Sequence, residues 1–289
     1  MSDIADQSGG WRGRVALGAL VVSILSVLWF MAAALGSRFG FWSWQFGLLT
    51  MMRDIGRVVA FGSVGLAVIA LVIALIKSPR KRPAILAIGA LVVSLLLLGR
   101  LGGLVAGAQA VPPIHDIQTD WSDPVRFSDA IMAARGPESN PVRYGTDAVF
   151  SYGSESPLEG RLIADIQEEA ECPSKDPDDC EDAEPPKPYP PLEPVTINAA
   201  PDVVFAAAKR LVAAQGWTIV TEDAEGGVLE ATHTSTWFGF KDDVALRLRP
   251  VPGGTRVDMR SVSRVGRSDL GANSRRISAF LNDLEGQRY

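Results

Sequence analysis

The chain has two cysteines and two histidines in 289 residues, and its first 110 positions hold three acidic residues, Asp3, Asp6 and Asp54. With His115 and His233 as the only imidazoles, a zinc centre lacks ligands, and no metal is expected. No catalytic motif stands out either, so an enzyme is the less favoured reading and no cofactor is expected. The loop between Cys172 and Cys180 carries Asp176, Asp178 and Asp179, with Glu181 and Asp182 beyond. It lacks the glycine and terminal glutamate spacing of a calcium loop, and reads as a solvated acidic segment.

What is present is a division of charge and hydropathy. Ten basic residues accompany the three acids of the first 110 positions, whereas the remainder holds eighteen basic and thirty acidic residues. The basic part contains three apolar runs, 15–35, 58–76 and 84–106, each long enough at about 1.5 Å per residue to cross a hydrocarbon core of roughly 30 Å. Between the first two, the aromatic cluster 39–46 suits headgroup depth. Gly99, Gly103 and Gly107 line one face of the third run, where a neighbouring helix could pack closely. Arg100 falls near the outer headgroups, either snorkelling or paired with Asp54.

Arg12 and Arg14 precede the first run, and Lys77, Arg80, Lys81 and Arg82 crowd the second connection. Basic side chains near span ends resist translocation, so the N-terminus is expected on the cytoplasmic side and, after three spans, the tail outside. Arg38, Arg53 and Arg57 in the first connection oppose this bias. A cleaved signal peptide is the competing reading of the first run, but the run is long for one, and cleavage would leave the tail outside as well.

The expected organisation is a three-span transmembrane region over 1–110, a proline-rich acidic connector over 111–194 and a compact domain over 195–289. The connector has two short helical candidates, 126–135 and 158–170, and an extended proline run at 185–191. Two thirsty neighbours of an oxidising compartment, Cys172 and Cys180, are expected to form a disulfide.

The compact domain reads as a strand at 195–198, a helix at 200–215, strands at 218–222, 228–234, 244–249 and 255–265, and a helix at about 270–284 capped by Ser268 or Asp269. The fold class is therefore α+β, an antiparallel sheet of order strand, helix, four strands, helix, with helices on one face. Alternation turns Val244, Leu246, Leu248, Val257 and Met259 to the core. It turns Arg247, Arg249, Arg256, Asp258, Arg260 and Arg264 the other way, a strongly basic face that is either solvated and ion-paired or overlain by the acidic connector.

Phe238-Gly-Phe-Lys-Asp-Asp-Val244, the stretch 257–273 and Arg276-Ile277 resemble the signature of the domain-of-unknown-function family 1499, and 112–120 is similar to another stretch of it. The resemblance implies a bacterial protein with N-terminal membrane spans and no established activity; together with the charge bias of the short loops, the expectation is an inner (cytoplasmic) membrane location with a periplasmic or otherwise extracytoplasmic tail. The acidic insert around Cys172 to Glu184 departs from the family's pattern.

Candidate binding residues are Trp237, Phe240, Asp242, Asp243, Arg260, Arg264, Arg267, Asp269 and Asn273, with no catalytic residue assigned. Three functions are in play. The first, preferred, is a membrane-anchored binding or assembly module whose basic, aromatic-edged face meets an anionic lipid or an envelope protein. The second is a carrier of lipid or another apolar ligand, which requires an apolar pocket. The third is a hydrolase using Asp242 or Asp243, which requires carboxylates converging on an open cleft. The bilayer itself is the expected partner, and nucleic acid is not.

Overall fold

The computed structural model describes residues 10–76, 78, 80–109, 111–151, 156, 158–168 and 192–289. Cys172 and Cys180, and with them the expected disulfide, lie outside the described residues. The chain divides into two compact units, Met1–Ala106 with Thr236–Gly239, and Gly107–Ser235 with Phe240–Tyr289.

The first unit is helical. Helix α1 is Gly10–Arg38, a π-helical segment Phe46–Ile55 leads directly into α2, Gly56–Ile76, and α3 is Lys81–Gln109. All three stretches are long and apolar enough to cross a membrane. Ala16, Ala19, Ala67, Ala70, Ala87 and Ala90 form their shared seam. Small side chains suit such a seam, because between spans close backbone approach replaces the hydrophobic drive. One buried polar pair crosses it, Ser94 Oγ donating to Ser23 Oγ at 2.9 Å. Among the described residues, no atom outside the helix's own backbone lies within 4 Å of where a side chain would start at Gly99, Gly103 or Gly107 of α3.

The second span also begins earlier than its apolar run. Phe46, assigned to an interfacial cluster, starts the π-helical segment, whose Met51 carbonyl accepts a hydrogen bond from the Trp29 indole at 3.0 Å. At Gly56 the Phe30 ring stands 2.8 Å from the position a β-carbon would take, so the helix must be bare there. Asp54 pairs with its neighbour Arg53 at 2.8 Å, and the alternative of an Asp54–Arg100 pair is not formed among the described residues.

The second unit is α+β. Its elements are β1 (Asp116–Gln118), α4 (Asp129–Ala134), a single 3-10 turn at Gly145–Asp147, α5 (Ile163–Glu168), β2 (Val195–Ile197), α6 (Pro201–Ala214), β3 (Thr218–Asp223), β4 (Val228–Thr234), β5 (Lys241–Val251), β6 (Gly254–Ser263) and α7 (Ala272–Glu285). The sheet is antiparallel with order β1-β6-β5-β4-β3, and β2 also pairs with β6. Thus β1 and β2 lie end to end along one edge of β6, opposite residues 260–262 and 255–257 respectively. Gly254, at φ 141°, makes the β5–β6 turn; a side chain there would run into the Ile197 carbonyl.

Helix α6 has Pro201 in its first turn and stops at Gly216, as expected of those residues. Its Val204, Phe205, Ala208 and Val212 pack with Ile277, Phe280, Leu281 and Leu284 of α7 onto Leu229, Ala231, Val244, Leu246, Leu248, Val257 and Met259. That is the face the alternation assigned to the core. Trp217 stacks on Phe280 with ring centroids 5.4 Å apart, closing its end.

The opposite face is not an open basic surface. Residues 120–147, expected in a connector, run across it, and Val125, Phe127 and Ile131 form a smaller apolar cluster with Ala245 and Val262. With β1 paired to β6, the described part of the expected connector is built into the sheet unit. We refer to 119–147 as the strap.

Candidate functional site

Alternate residues of β5 and β6 turn one set of charges to the strap and another to α7. On the strap face Asp116, Asp120 and Asp123 lie against successive arginines. Asp116 takes Arg260 bidentately, at 2.9 Å from Nε and 2.5 Å from Nη2. Asp120 takes Arg256 at 2.5 Å, and Asp123 takes Arg249 at 2.6 Å and Arg247 at 3.1 Å. Asp258, fully buried, accepts from Arg247, Arg249 and Arg256 between 2.9 and 3.3 Å.

Arg260 is the largest side chain with no exposure. Its remaining donors reach the carbonyls of Val125 and Arg143, both at 2.9 Å. Its guanidinium lies 4.7 Å from the Tyr144 ring centre, with Phe127 at 5.7 Å and Trp121 at 5.9 Å. Aromatic faces and a bidentate carboxylate are what a desolvated guanidinium requires. Of the two readings of this face, solvated or overlain, Arg260 follows the second: the side chain points away from α6 and α7, as alternation demands, and the strap covers it.

Asp242 and Asp243 are adjacent on β5 and so project to opposite faces. Asp243 is fully buried under the strap, held by Arg264 at 2.7 Å and Arg135 at 2.5 Å, and accepts from Thr232 Oγ1 at 2.9 Å. Asp242 faces α7 and pairs with Arg276 at 2.6 Å, with His233 Nδ1 at 3.5 Å. Burial pushes the Asp242 carboxyl upward, but the His233 hydrogen bond and the Arg276 charge prevail and hold it below its usual value. The two carboxylates do not converge.

Arg276 also joins Ser261 Oγ at 2.8 Å and the Asn273 side-chain oxygen, while Asn273 Nδ2 donates to the His115 carbonyl and to Ser263 Oγ, each at 3.0 Å. Asn273 is thus a buried link between β1, β6 and α7. Asp269 accepts from the N–H groups of Gly271 and Asn273, both at 2.8 Å, so it satisfies the start of α7 although the helix proper begins after Gly271. Burial raises its carboxyl above the usual value.

Trp237 and Arg267 are exposed, and Phe240 is half-buried. Of the candidate residues, then, Asp242, Asp243, Arg260, Arg264, Asp269 and Asn273 are drawn into internal networks, while Trp237 and Arg267 are exposed. Asp116, Asp120, Asp123, Arg135 and Arg276 were not foreseen. Their signal was charge complementarity: acids at 116, 120 and 123 against arginines at alternate positions of β5 and β6.

A small, partly open cavity of about 60 Å³ lies beside Ile114, His115, Asp116, Arg143, Phe150 and Ile163. Burial pushes the His115 imidazole below its usual value, so it is neutral at pH 7. The space suits a water molecule or two, not a lipid chain. Among the described residues, no group of three or more histidine, cysteine, aspartate or glutamate side chains could hold a metal ion.

A search of the curated proteins finds no match to this chain. The family described as "Protein of unknown function (DUF1499)" matches residues 116–284, from the first residue of β1 to the last turn of α7, taking in the strap and its arginines. Since that match covers more than half of the sequence, the chain belongs to the DUF1499 family.

Proposed function

We propose that this protein is a membrane-anchored, extracytoplasmic binding or assembly module without catalytic activity. The observation that carries this reading is the neutralisation of the polar cluster from within: Asp242 and Asp243 are locked by Arg276 and by Arg264 with Arg135, on opposite faces of one strand. A hydrolytic pair needs carboxylates free to address one substrate. A lipid carrier needs an enclosed apolar pocket; the cavity beside His115 is only about 60 Å³, and the groove of about 550 Å³ along Leu192, Val195, Leu281 and Glu285 is open and edged by polar side chains. Three apolar helices support the anchoring. Arg12, Arg14 and the basic group at 77–82 support a cytoplasmic N-terminus, an inner-membrane location and an outer sheet unit. In that compartment Cys172 and Cys180 would be paired.

The interaction residues in this proposal are Trp237, Phe240 and Arg267, and the buried candidates support the sheet. The test is purification of the full chain in mild detergent, with bound lipids and proteins identified for the wild type, Trp237→Ala and Arg267→Ala. Variants that melt normally but lose a bound component are expected. Retention of every component by both variants, with normal melting, would overturn the site. A reporter active only after export, fused to Tyr289, should be active; an inactive fusion beside an active one at Ser78 would reverse the topology.

A further inference from the structure

We propose that the outer edge of β2, with the groove between it and α7, binds an extended peptide segment of another protein that alternates basic and apolar side chains. The site lies within the sheet unit and uses neither Trp237 nor Arg267, so its failure would leave the anchored-module reading standing.

Strand register identifies the free edge. Along β6 the odd-numbered residues turn their backbone groups to the β1 side: the Thr119 N–H donates to the Met259 carbonyl at 3.0 Å, and the Ser263 N–H to the His115 carbonyl at 2.9 Å. Val257 and Thr255 belong to the same set and lie opposite Val195 and Ile197. Thr196, between these two, therefore points its N–H and C=O away from the sheet. An equivalent outward position on β1 is Gln118, and there a side chain closes the edge: Gln167 accepts from the Gln118 N–H at 3.2 Å and donates to its carbonyl at 2.8 Å. Among the described residues no such cap reaches Thr196, which is exposed. The far edge of the sheet is a poorer template, because β3 carries a bulge between Ile219 and Thr221 and ends in Glu222 and Asp223.

Strand β2 is three residues long, and Pro194 in front of it has no N–H. An added strand thus gains few backbone bonds, and side chains must supply the selectivity. Two hollows are placed to do so. In an added strand of either direction, the residue beside Thr196 faces away from α7, and its two neighbours share the face of Val195 and Ile197, towards α7. One hollow, of about 550 Å³ and open, lies beside Leu192, Val195 and Leu281, with Ser278 and Asn282 on its rim. The other, of about 300 Å³, lies beside Ile197, Asn198 and Tyr289. Glu285 borders both hollows and Glu193 borders the first; each is exposed, and among the described residues no base lines either hollow. Charge therefore selects among occupants. The acidic stretch around 172–184 of this chain would bring further acids, and a second copy of the same edge would bring its own Glu193 and Glu285. A basic partner with an apolar residue between its cations meets neither repulsion and fills the hollow beside Leu192 and Leu281.

The test titrates the full chain in mild detergent with the peptide Thr-Lys-Thr-Leu-Thr-Lys-Thr, fluorescently labelled at its N-terminus and followed by anisotropy. Saturable binding is expected. Thr196→Pro deletes the outward N–H at a position an edge strand tolerates, and should weaken binding by roughly tenfold or more. Should that variant melt below the wild type, methylating the backbone nitrogens of the two threonines beside the peptide's leucine applies the same test to the wild-type chain, with the same loss expected. Glu285→Gln should weaken binding several-fold, and high salt should narrow the difference. Hydrogen exchange resolved to Thr196 should be fast in the free protein and slow at saturating peptide. Absence of saturable binding to the wild type would overturn the proposal. So would binding indifferent to both Thr196→Pro and peptide methylation, or equal binding of a peptide with glutamate in place of both lysines. Slow exchange at Thr196 in the free protein would overturn it in favour of a cover from this chain or, where the protection depends on protein concentration, a second copy.

Discussion

The two faces of the sheet are drawn from alternate residues of the same strands, and different forces close them. Against α6 and α7 lie Val244, Leu246, Leu248, Val257 and Met259, all buried and apolar. Against the strap lie Asp243, Arg247, Arg249, Arg256, Asp258, Arg260 and Arg264; the carboxylates of Asp116, Asp120 and Asp123 meet Arg260, Arg256, Arg249 and Arg247 from more than a hundred positions away, and Arg135 of the strap meets Asp243. The apolar face can accept any well-shaped apolar cover. The charged face accepts only a cover with acids at the right places, so it specifies where the strap lies rather than merely how strongly it holds. A count of basic residues on a strand is therefore no measure of the charge it offers to a partner.

The sharpest way to break that comparison is to remove a single charge from the cover of that face, the carboxylate of Asp116 in β1, just before the strap. Asp116→Asn leaves Arg260, with no exposure, short of its counter-charge, and full-length protein should lose about 3 to 5 kcal/mol in thermal or denaturant unfolding. Adding Arg260→Met to Asp116→Leu should recover much of that loss, though the Val125 and Arg143 carbonyls would lack their donor. On the apolar face Leu246→Ala should cost about 3 kcal/mol by leaving a cavity, with no comparable rescue by a charge change. If Asp116→Asn costs less than Leu246→Ala, the strap is held mainly by its apolar cluster.

A smaller effect separates the carboxylates by pH. The folded value of Asp242 is depressed below its reference of 3.8, so its stabilising contribution is complete above that value and is lost as pH falls through the folded value. Asp242→Asn should accordingly flatten the acid limb of a melting-temperature profile. An acid limb unchanged in steepness would remove Asp242 from the account. The smallest effect belongs to the strap's outer rim: Asp123, half exposed, pairs with Arg249 in solvent, and Asp123→Ala should cost at most about 1 kcal/mol in the same unfolding measurement. A large loss there would mean that the strap is held from its edge.

The contrast between faces also explains what could be read in advance. Strand and helix positions in 195–289 follow from period and turn chemistry, since Val244, Leu246 and Leu248 alternate, Pro201 opens a helix and Gly216 ends one. The three spans follow from their length, except that the second extends back to Phe46 through a π-helical segment whose carbonyl meets Trp29, a feature no local pattern announces. Strand β1 was invisible because Ile117 is its only apolar residue; Asp116 and Gln118 are polar and buried, paired with Arg260 and bonded to Gln167 and Val125. The candidate residues were recognised as a cluster. Their division between faces required knowing that the strap, and Arg276 from α7, would take up their charges.

The end-to-end placement of β1 and β2 on β6 has a bearing on how this chain can change over generations. Gln118 sits opposite Arg260 and Val195 opposite Val257, three residues apart along β6, which is roughly 10 Å. Everything from 119 to 194 is therefore an excursion that leaves one edge and rejoins it close by. Closing a longer excursion adds only about 0.6 kcal/mol per doubling. Chain can be added or removed between the strap and Val195 at small cost while the two anchoring strands keep their register. The joint works like a hinge pin gripped at both ends: β1 and β2 hold their places on β6 whatever the length of chain between the strap and Val195.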